Sequence, residues 1–208
     1  LFGGLSKKII DKVYVKRNSK ILDVGCGNRR VLDAARKLGA DAVGITISEK
    51  QVERCADAGL IVYLMNYRNI PHEWNGSFDG IIANGSIEHF VQVQDAIDGK
   101  QDKIYRDMFG IFHRLLKPGG YLVTTVCHFN RFIDPNDIIK GSDKLQRGSD
   151  NYHFAKVLLE DFGGWYPLEN QLIANAHGLF MLVNREDGTE DYHWTSEYWL
   201  SEMKKKSL

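Results

Sequence analysis

A short glycine-rich stretch near the start of the sequence has the residue types that bind a nucleotide-like ligand. In residues 20–29, KILDVGCGNR, an apolar run with the pattern of a buried strand leads into Gly25 and Gly27 and then into a helix. Glycines at such a turn let the backbone bend sharply, so that a ligand can lie against main-chain N–H groups. Asp23 stands at the end of the strand, where open α/β sheets bind their ligands. The stretch therefore predicts a site for a nucleotide-type cofactor.

The glycine pattern differs from that of a dinucleotide site. That fingerprint would be Gly-x-Gly-x-x-Gly, whereas this chain has GCGNRR, with Arg29 and Arg30 where further glycines would stand. A pyrophosphate loop is therefore not expected, and a ligand without phosphates would need fewer glycines. The alternative interpretation is another doubly wound domain with an incidental Gly-x-Gly.

Strand patterns and helix patterns alternate through the first 126 residues, which positions this turn in a sheet. Ser48, followed by Gln51, fits a capping box that opens one of the helices. The alternation predicts an α/β fold, a Rossmann-like doubly wound and mainly parallel sheet with helices on both faces. Helices are predicted at 4–15, 29–38, 48–59 and 98–116, and strands at 21–24, 42–47, 60–65, 78–83 and 121–126.

The segment 129–160 interrupts the alternation, because it is polar and contains scattered Asp, Asn, Pro and Gly residues. An unstructured loop of this length is unusual in a compact domain, so we expect it to contain short helices. We interpret it as part of an inserted substrate cover, at about 129–167, over the site. After it we predict a helix at 168–177, a sixth strand at 179–184 and a last helix at 195–206.

The composition limits the classes of function. A chain of 208 residues with 43% hydrophobic content suits one domain, spanning 1–208. Lysine plus arginine and aspartate plus glutamate are equal at 27 each, so no net field would recruit nucleic acid. The three cysteines are odd in number and lack metal-ligand spacing, which argues against a metal site and for a reducing compartment. Without an apolar run long enough to span a bilayer, or a signal peptide, we expect a cytoplasmic protein.

Several stretches together resemble class I S-adenosylmethionine (SAM) dependent methyltransferases, and in particular the cyclopropane-fatty-acid synthase superfamily, which includes the coclaurine-type N-methyltransferases. The strand-and-turn LDVGCG resembles their motif I, and GITISEKQ resembles G-I-T-L-S-x-x-Q. NYRN is similar to D-Y-R-D, although both acids are Asn here. Similar stretches also occur at FDGIIANGSIEHF, at LLKPGG and at YHWTSEYW, so that the resemblance extends over 21–199 in the family's order.

The resemblance implies that SAM is the cofactor and indicates which residues would hold it. Thr46 and Gln51 would take the ribose, Asn66-Tyr-Arg-Asn69 would lie along the adenine, and Asn84 with Gly85 would flank the methionine part. The predicted cofactor-binding residues are Asp23, Gly25, Cys26, Gly27, Thr46, Ser48, Gln51, Asn66, Tyr67, Asn84 and Gly85.

The resemblance also implies four catalytic candidates. Glu88 would act at the reacting centre, either by holding a cationic amine or as a base, and the neighbouring His89 would orient it or take the proton. Tyr192 aligns with a family tyrosine. His128 is a second candidate base, because Cys127-His128 matches the end of a strand in coclaurine-type members.

Three functions remain open after the sequence is read. The leading hypothesis is methyl transfer from SAM to a small-molecule or lipid-like, amphiphilic acceptor. A cyclopropane synthase-type methylene addition to an unsaturated acyl chain is the first alternative, but Thr124 or Thr125 stands where those enzymes have a bicarbonate-binding His, and their amino-terminal Cys has no counterpart. The second is a catalytically inactive SAM-binding protein, which Asn66 and Asn69 favour and Glu88 with Tyr192 disfavour.

Members of this family usually continue past the Trp199 region to a last, antiparallel strand, whereas this sequence ends at Leu208, so either the sheet has six strands or the sequence is incomplete. A sixth strand would then leave an exposed edge, and unpaired strand edges are usually covered. A second subunit, in a homodimer, would cover it.

Overall fold

The computed structural model describes residues 2–142 and 147–206 and contains one five-stranded sheet within them. All neighbouring strands are parallel, and their order is β3-β2-β1-β4-β5. The strands are β1 Lys20–Val24, β2 Asp41–Thr46, β3 Ile61–Leu64, β4 Phe78–Asn84 and β5 Leu116–Thr125. This confirms the predicted Rossmann-like α/β class.

Helices connect the parallel strands, except between β3 and β4, where the chain passes through two short 3-10 turns, Tyr67–Asn69 and His72–Trp74. The helices are α1 Phe2–Lys12, α2 Arg30–Lys37, α3 Glu49–Ala56, α4 Val93–Ile97, α5 Gln101–Leu115, α6 Pro135–Ser142, α7 Asp150–Lys156, α8 Glu169–Ala176 and α9 Thr189–Lys206. Among the described residues, none of these helices is both long and apolar enough to cross a membrane.

From β1 the chain adds β2 and then β3 on one side, and it then returns to place β4 on the other side of β1. β1 and β4 therefore lie side by side at the centre of the sheet. Both strands are almost wholly buried, in keeping with their continuous apolar runs. α5 packs a face of large apolar and aromatic side chains into the main core, and that core includes residues of β1, β2 and β4. A topological switch point of this kind opens a crevice at the carboxyl ends of the two strands, where ligands bind in open α/β sheets.

The inserted segment contains short helices, as predicted: α6, α7 and a π-helical turn at Val157–Asp161. Residues 143–146 of the predicted cover lie outside the described residues. A backbone hydrogen bond from Phe129 N to Pro167 O, at 2.8 Å, joins the two ends of the segment, and one from Trp165 N to Val91 O, at 2.8 Å, attaches it to the chain after β4. The segment is therefore fixed over the residues that follow β4.

The predicted sixth strand at 179–184 is wrong. Leu179 and Phe180 both donate their N–H groups to the carbonyl oxygen of Ala176, so a turn at the end of α8 holds this part of the chain. The ring of Phe180 then packs against Phe109 of α5, at 6.0 Å between centroids, instead of beside β5. The apolar residues that follow, 181–183, are exposed and form no ladder.

Several boundaries also differ from the predictions. β5 begins at Leu116 and includes the Lys-Pro-Gly-Gly sequence, with an irregular register opposite Phe78. α9 begins at Thr189, six residues before its predicted start. α1 ends at Lys12, three residues early, because the chain turns through Tyr14 with φ of 51°.

Candidate active site

The glycine turn after β1 packs closely against Ser86, which follows β4. Gly25 has φ of 74°, and a Cβ there would lie 2.6 Å from the Cβ of Ser86, so glycine is required for two reasons. Ser86 is buried and donates its hydroxyl to the carbonyl oxygen of Val24 at 2.8 Å. This bond ties the end of β4 to the end of β1 at the switch point.

Two N–H groups of this turn form hydrogen bonds within the protein and are not free to bind a ligand. Gly25 N and Cys26 N both donate to Ile45 O, at 2.9 and 3.1 Å, which fixes the turn onto β2. Gly44 of β2 allows this contact, because a Cβ there would lie 2.9 Å from the Cys26 sulfur. Gly44 was not predicted as a site residue, although it opens the Gly-Ile-Thr motif in the sequence.

Asp23 lies next to the turn and is 1% exposed. Its Oδ2 atom has no hydrogen-bond partner among the described residues, and burial raises the pKa of Asp23 to about 7. A buried carboxylate without a cation is unfavourable. The side chain is therefore ready to accept a hydrogen bond or a positive charge from a ligand.

The end of β2 is ordered by Thr46, which is 5% exposed. Its hydroxyl donates to Gln51 Oε1 at 2.5 Å and accepts from Ser48 N at 3.2 Å. The predicted capping box is wrong: Ser48 is the N-cap residue of α3, but its side chain makes no capping bond, since Gln51 turns toward Thr46 instead. The predicted ribose-binding pair thus lies together at the sheet edge.

An open groove of about 500 Å³ lies beside this pair, at the carboxyl ends of β2 and β3. Ser48 and Asn66 are among the residues that line it. Asn66 accepts from Arg68 N at 2.9 Å through its Oδ1 atom, which fixes its amide. Tyr67 is buried and stacks on Phe90 with 4.1 Å between ring centroids, so its ring belongs to the core.

Asn84 and Gly85 follow β4, on the other side of the switch point. Thr125 of β5 donates its hydroxyl to Asn84 Oδ1 at 2.6 Å, and Gly85 N donates to Thr125 O at 3.0 Å. Gly85 has φ of 62°, a conformation that favours glycine. These bonds direct the chain into the short helical turn Ile87–His89.

Glu88 of that turn is buried, being 5% exposed. Its Oε1 accepts from the N–H of Cys127 at 2.8 Å, whereas its Oε2 has no partner among the described residues. Burial raises the pKa of Glu88, and the Cys127 N–H partly opposes that rise. A carboxyl group whose pKa is shifted toward neutrality is suited to proton transfer.

Two tyrosines and a cysteine interact with this carboxyl group. Tyr192 of α9 interacts electrostatically with Cys127 and Glu88, and burial, with Glu88 nearby, raises the pKa of the Cys127 thiol. Tyr166 of the inserted segment interacts electrostatically with Cys127, Tyr192 and Glu88, and burial raises the pKa of Tyr166 to about 12. Glu88, Cys127, Tyr166 and Tyr192 are called the Glu88 group below.

The structure brings two of the four catalytic candidates together, Glu88 and Tyr192. His89 is exposed and its ring lies 4.5 Å from the ring of Phe162, while His128 Nδ1 lies 3.2 Å from Phe129 O. The sequence analysis assigned no role to Tyr166, which lies within the predicted cover at 129–167. In the described ranges, no cluster of three His, Cys, Asp or Glu side chains could hold a metal ion.

Comparison with known proteins agrees with this architecture. A family model described as a methyltransferase domain matches residues 6–179. Over 176 residues the chain is 28% identical to the cyclopropane-fatty-acyl-phospholipid synthase of Escherichia coli K12. The aligned region covers 77% of this chain and 42% of that enzyme.

Two solved structures have similar folds. A cyclopropane synthase from Mycobacterium tuberculosis aligns with a TM-score of 0.65 and 18% identity, over 88% of this chain and 61% of that one. A phosphoethanolamine N-methyltransferase from Haemonchus contortus, solved in complex with SAM, aligns with a TM-score of 0.66 and 17% identity, over 98% and 43%.

The chain thus spans less than half the length of the E. coli enzyme that it matches. The family model, by contrast, covers most of this chain, including the glycine turn, β4 and the inserted segment. The resemblance predicted from the sequence is confirmed: this chain belongs to the methyltransferase-domain family and has the class I fold of SAM-dependent methyltransferases.

Proposed function

We propose that this chain transfers the methyl group of SAM to a small or amphiphilic acceptor, with Glu88 at the reacting centre. The observation that carries the proposal is a pair of buried carboxyl groups, Asp23 and Glu88, each with one oxygen that lacks a partner among the described residues. Asp23 lies near the end of β1 and Glu88 follows β4, and these are the two strands that meet at the switch point. Unpaired buried carboxylates fit cationic ligands, because a positive charge offsets their desolvation.

Each carboxyl group suits one of the two reactants. Asp23 lies beside the glycine turn and opposite Gly44 of β2, two residues before Thr46, which supports a role toward the cationic cofactor. Ser48 and Asn66 line the groove on the same side, while Cys26, Gly27, Tyr67, Asn84 and Gly85 complete the predicted cofactor site. When bound, SAM supplies a methyl group on a sulfonium, which is already a strong electrophile.

The remaining work falls to the protein's own side chains. The acceptor must be held in line, water must be excluded, and a proton must be removed. Glu88 is buried under the inserted segment and keeps Oε2 available, so it accepts the proton or holds a cationic nitrogen. Tyr192 interacts with Cys127, the residue that holds Glu88 Oε1. His89 and His128 are further candidate proton acceptors, outside the Glu88 group.

A methylene addition to an unsaturated acyl chain is the second candidate. The similarity to the E. coli cyclopropane-fatty-acyl-phospholipid synthase favours it. The threonines Thr124 and Thr125, at the place of a family histidine, weigh against it.

The test is turnover of methyl-labelled SAM with two acceptor pools, unsaturated phospholipids and a panel of amines and phenols, with products identified by mass. We expect the mass of one methylene group to be gained by a member of the second pool. A gain in the acyl chains would replace the heteroatom proposal by the lipid one. Binding of SAM without turnover in either pool would contradict the proposal and favour a non-catalytic SAM-binding protein.

A further inference from the structure

A second cavity, of about 300 Å³, lies between α4, the start of α5 and the inserted segment. Tyr166 belongs both to its wall and to the Glu88 group. We propose that this cavity binds the methyl acceptor and that the acceptor is a small cationic amine. The inference rests on the proposed function and goes beyond it by naming the place and the chemical class of the acceptor.

The hydrogen-bonding groups of the wall select for a donor. Each of its amide NH₂ groups donates at least one hydrogen bond within the protein: Gln101 donates to the Tyr105 hydroxyl and the Tyr166 carbonyl at 3.2 Å each. Asn136 donates to Asp134 at 3.1 Å, and Gln171 donates to Asp102 at 2.8 Å. The wall also offers acceptor oxygens, among them the carboxylate of Asp134, which an ammonium group matches.

The charge of the cavity has the same preference. Among the described residues that line it, Asp134 is the one with a charged side chain. Its Oδ1 accepts from Asn136 N at 2.8 Å, so the carboxylate also caps the first turn of α6. A cation would find a negative charge here and no positive one, whereas an anionic acceptor would be repelled.

Aromatic rings provide the apolar part of the wall, through Phe129, Phe132, Trp165 and Tyr166. Phe129 meets Trp165 and Tyr166 edge to face, with centroids 5.1 and 5.3 Å apart, so these three rings fix one another. Cations are attracted to the faces of such rings. A small amine with an apolar body thus matches both halves of the wall, and a fully apolar acyl chain would leave the charge of Asp134 without an opposite charge in the cavity.

The test uses phenethylamine, which is cationic at pH 7, and 2-phenylethanol, a neutral molecule of similar size, in calorimetry with the purified chain and no SAM. We expect the amine to bind roughly tenfold more tightly than the alcohol. Asp134→Asn should remove most of that preference while it keeps the helix cap, since Asn caps as well as Asp. Asp134→Ser provides a second capping variant.

The matched control is Asp137→Asn, which removes a charge from the same helical turn at a residue that does not line the cavity. Equal binding of the two probes by the unaltered chain, or equal effects of Asp134→Asn and Asp137→Asn, would overturn the inference and leave the proposed function untouched. A retained preference for the amine in a chain that fails to bind SAM would instead overturn the proposed function and leave the cavity as an amine site.

Discussion

At the scale of single residues, the site is built around buried carboxyl groups whose charged forms are destabilised by the loss of water. Asp23 is buried, and its pKa is raised to about 7 because desolvation disfavours the charged form. The unfolded chain would titrate this group near 4, so the folded state holds a proton between the two values that the unfolded state has lost. Asp23 therefore lowers the stability of the protein as the pH rises through this range.

Asp23→Asn should remove that pH dependence. From pH 5 to pH 7 the free energy of unfolding of the variant should rise relative to the unaltered protein by about 2 kcal/mol, since each pH unit contributes about 1.4 kcal/mol. Denaturant melts at the two pH values measure the difference. Asp57→Asn, at an exposed aspartate, is the control and should show no such trend, and a parallel pH response of Asp23→Asn and the unaltered protein would contradict the interpretation.

The sequence identified Glu88 and Tyr192 because both lie in stretches that resemble family motifs, and the structure brings both to Cys127. It did not identify Tyr166, since nothing in the sequence of the cover distinguishes a tyrosine that interacts electrostatically with the Glu88 group from one that only packs. Its position depends on ring contacts with Phe129 and Phe162, which are tertiary.

At the scale of elements, the connection between the glycine turn and α2 depends on Arg29, which stands where a dinucleotide-binding turn would have a further glycine. Arg29 is the N-cap of α2 with φ of 62° and ψ of 2°, a left-handed conformation that is unfavourable for a residue with a side chain. Its side-chain contacts, to Arg54 O at 3.2 Å and Asp33 at 3.4 Å, are exposed and contribute little.

Arg29→Gly should consequently stabilise the protein by about 1 kcal/mol, because glycine adopts this conformation without strain. Lys37→Gly, at the exposed last residue of α2, should destabilise it by up to about 1 kcal/mol through the lower helix propensity of glycine. Thermal unfolding of the two variants provides the comparison. If Arg29→Gly lowers the stability of the protein as much as Lys37→Gly does, the backbone of Arg29 is not strained.

The inserted segment meets the active site most closely at Gly164. A Cβ there would collide with the carbonyl oxygen of Glu88 and lie 3.0 Å from the Cα of His89. Gly164→Ala should displace the segment and lower turnover at least about tenfold, since small misplacements at the reacting centre are costly. Gly110→Ala in α5, where a Cβ meets nothing within 4 Å, is the control and should keep full turnover with a slightly higher melting temperature.

Retained turnover in Gly164→Ala, with the fold intact by circular dichroism, would show that the segment does not position the site.

Elements with strong periodicity were predicted well, and those governed by tertiary contacts were not. The strands at the centre of the sheet and α5 follow from their apolar patterns. The run at 179–184 has the composition of a strand, but the turn at Ala176 and the packing of Phe180 on Phe109 hold it away from the sheet. The Ser48 capping box failed for a similar reason, since Thr46 competes for Gln51.

At the scale of the whole molecule, the strand order brings the residues of the site together. Because β1 and β4 are neighbours while their connections run to opposite sides, Asp23 and the Glu88 turn meet at one crevice although they are far apart in sequence. The alternation of elements predicted this class of fold, but strand order could come only through the family resemblance or the structure. The expectation of a second subunit over the sheet edge stays a prediction.

The most direct test of the account compares Glu88→Gln with the unaltered chain, using methyl-labelled SAM and the acceptor pool that supports turnover. Loss of the carboxylate should lower kcat about a hundredfold or more, as for removal of a general base, while the affinity for SAM stays within a fewfold of its original value. Glu73→Gln, at an exposed glutamate outside the site, should change neither quantity. Unchanged turnover in Glu88→Gln, with SAM bound as before, would contradict the claim that Glu88 acts at the reacting centre.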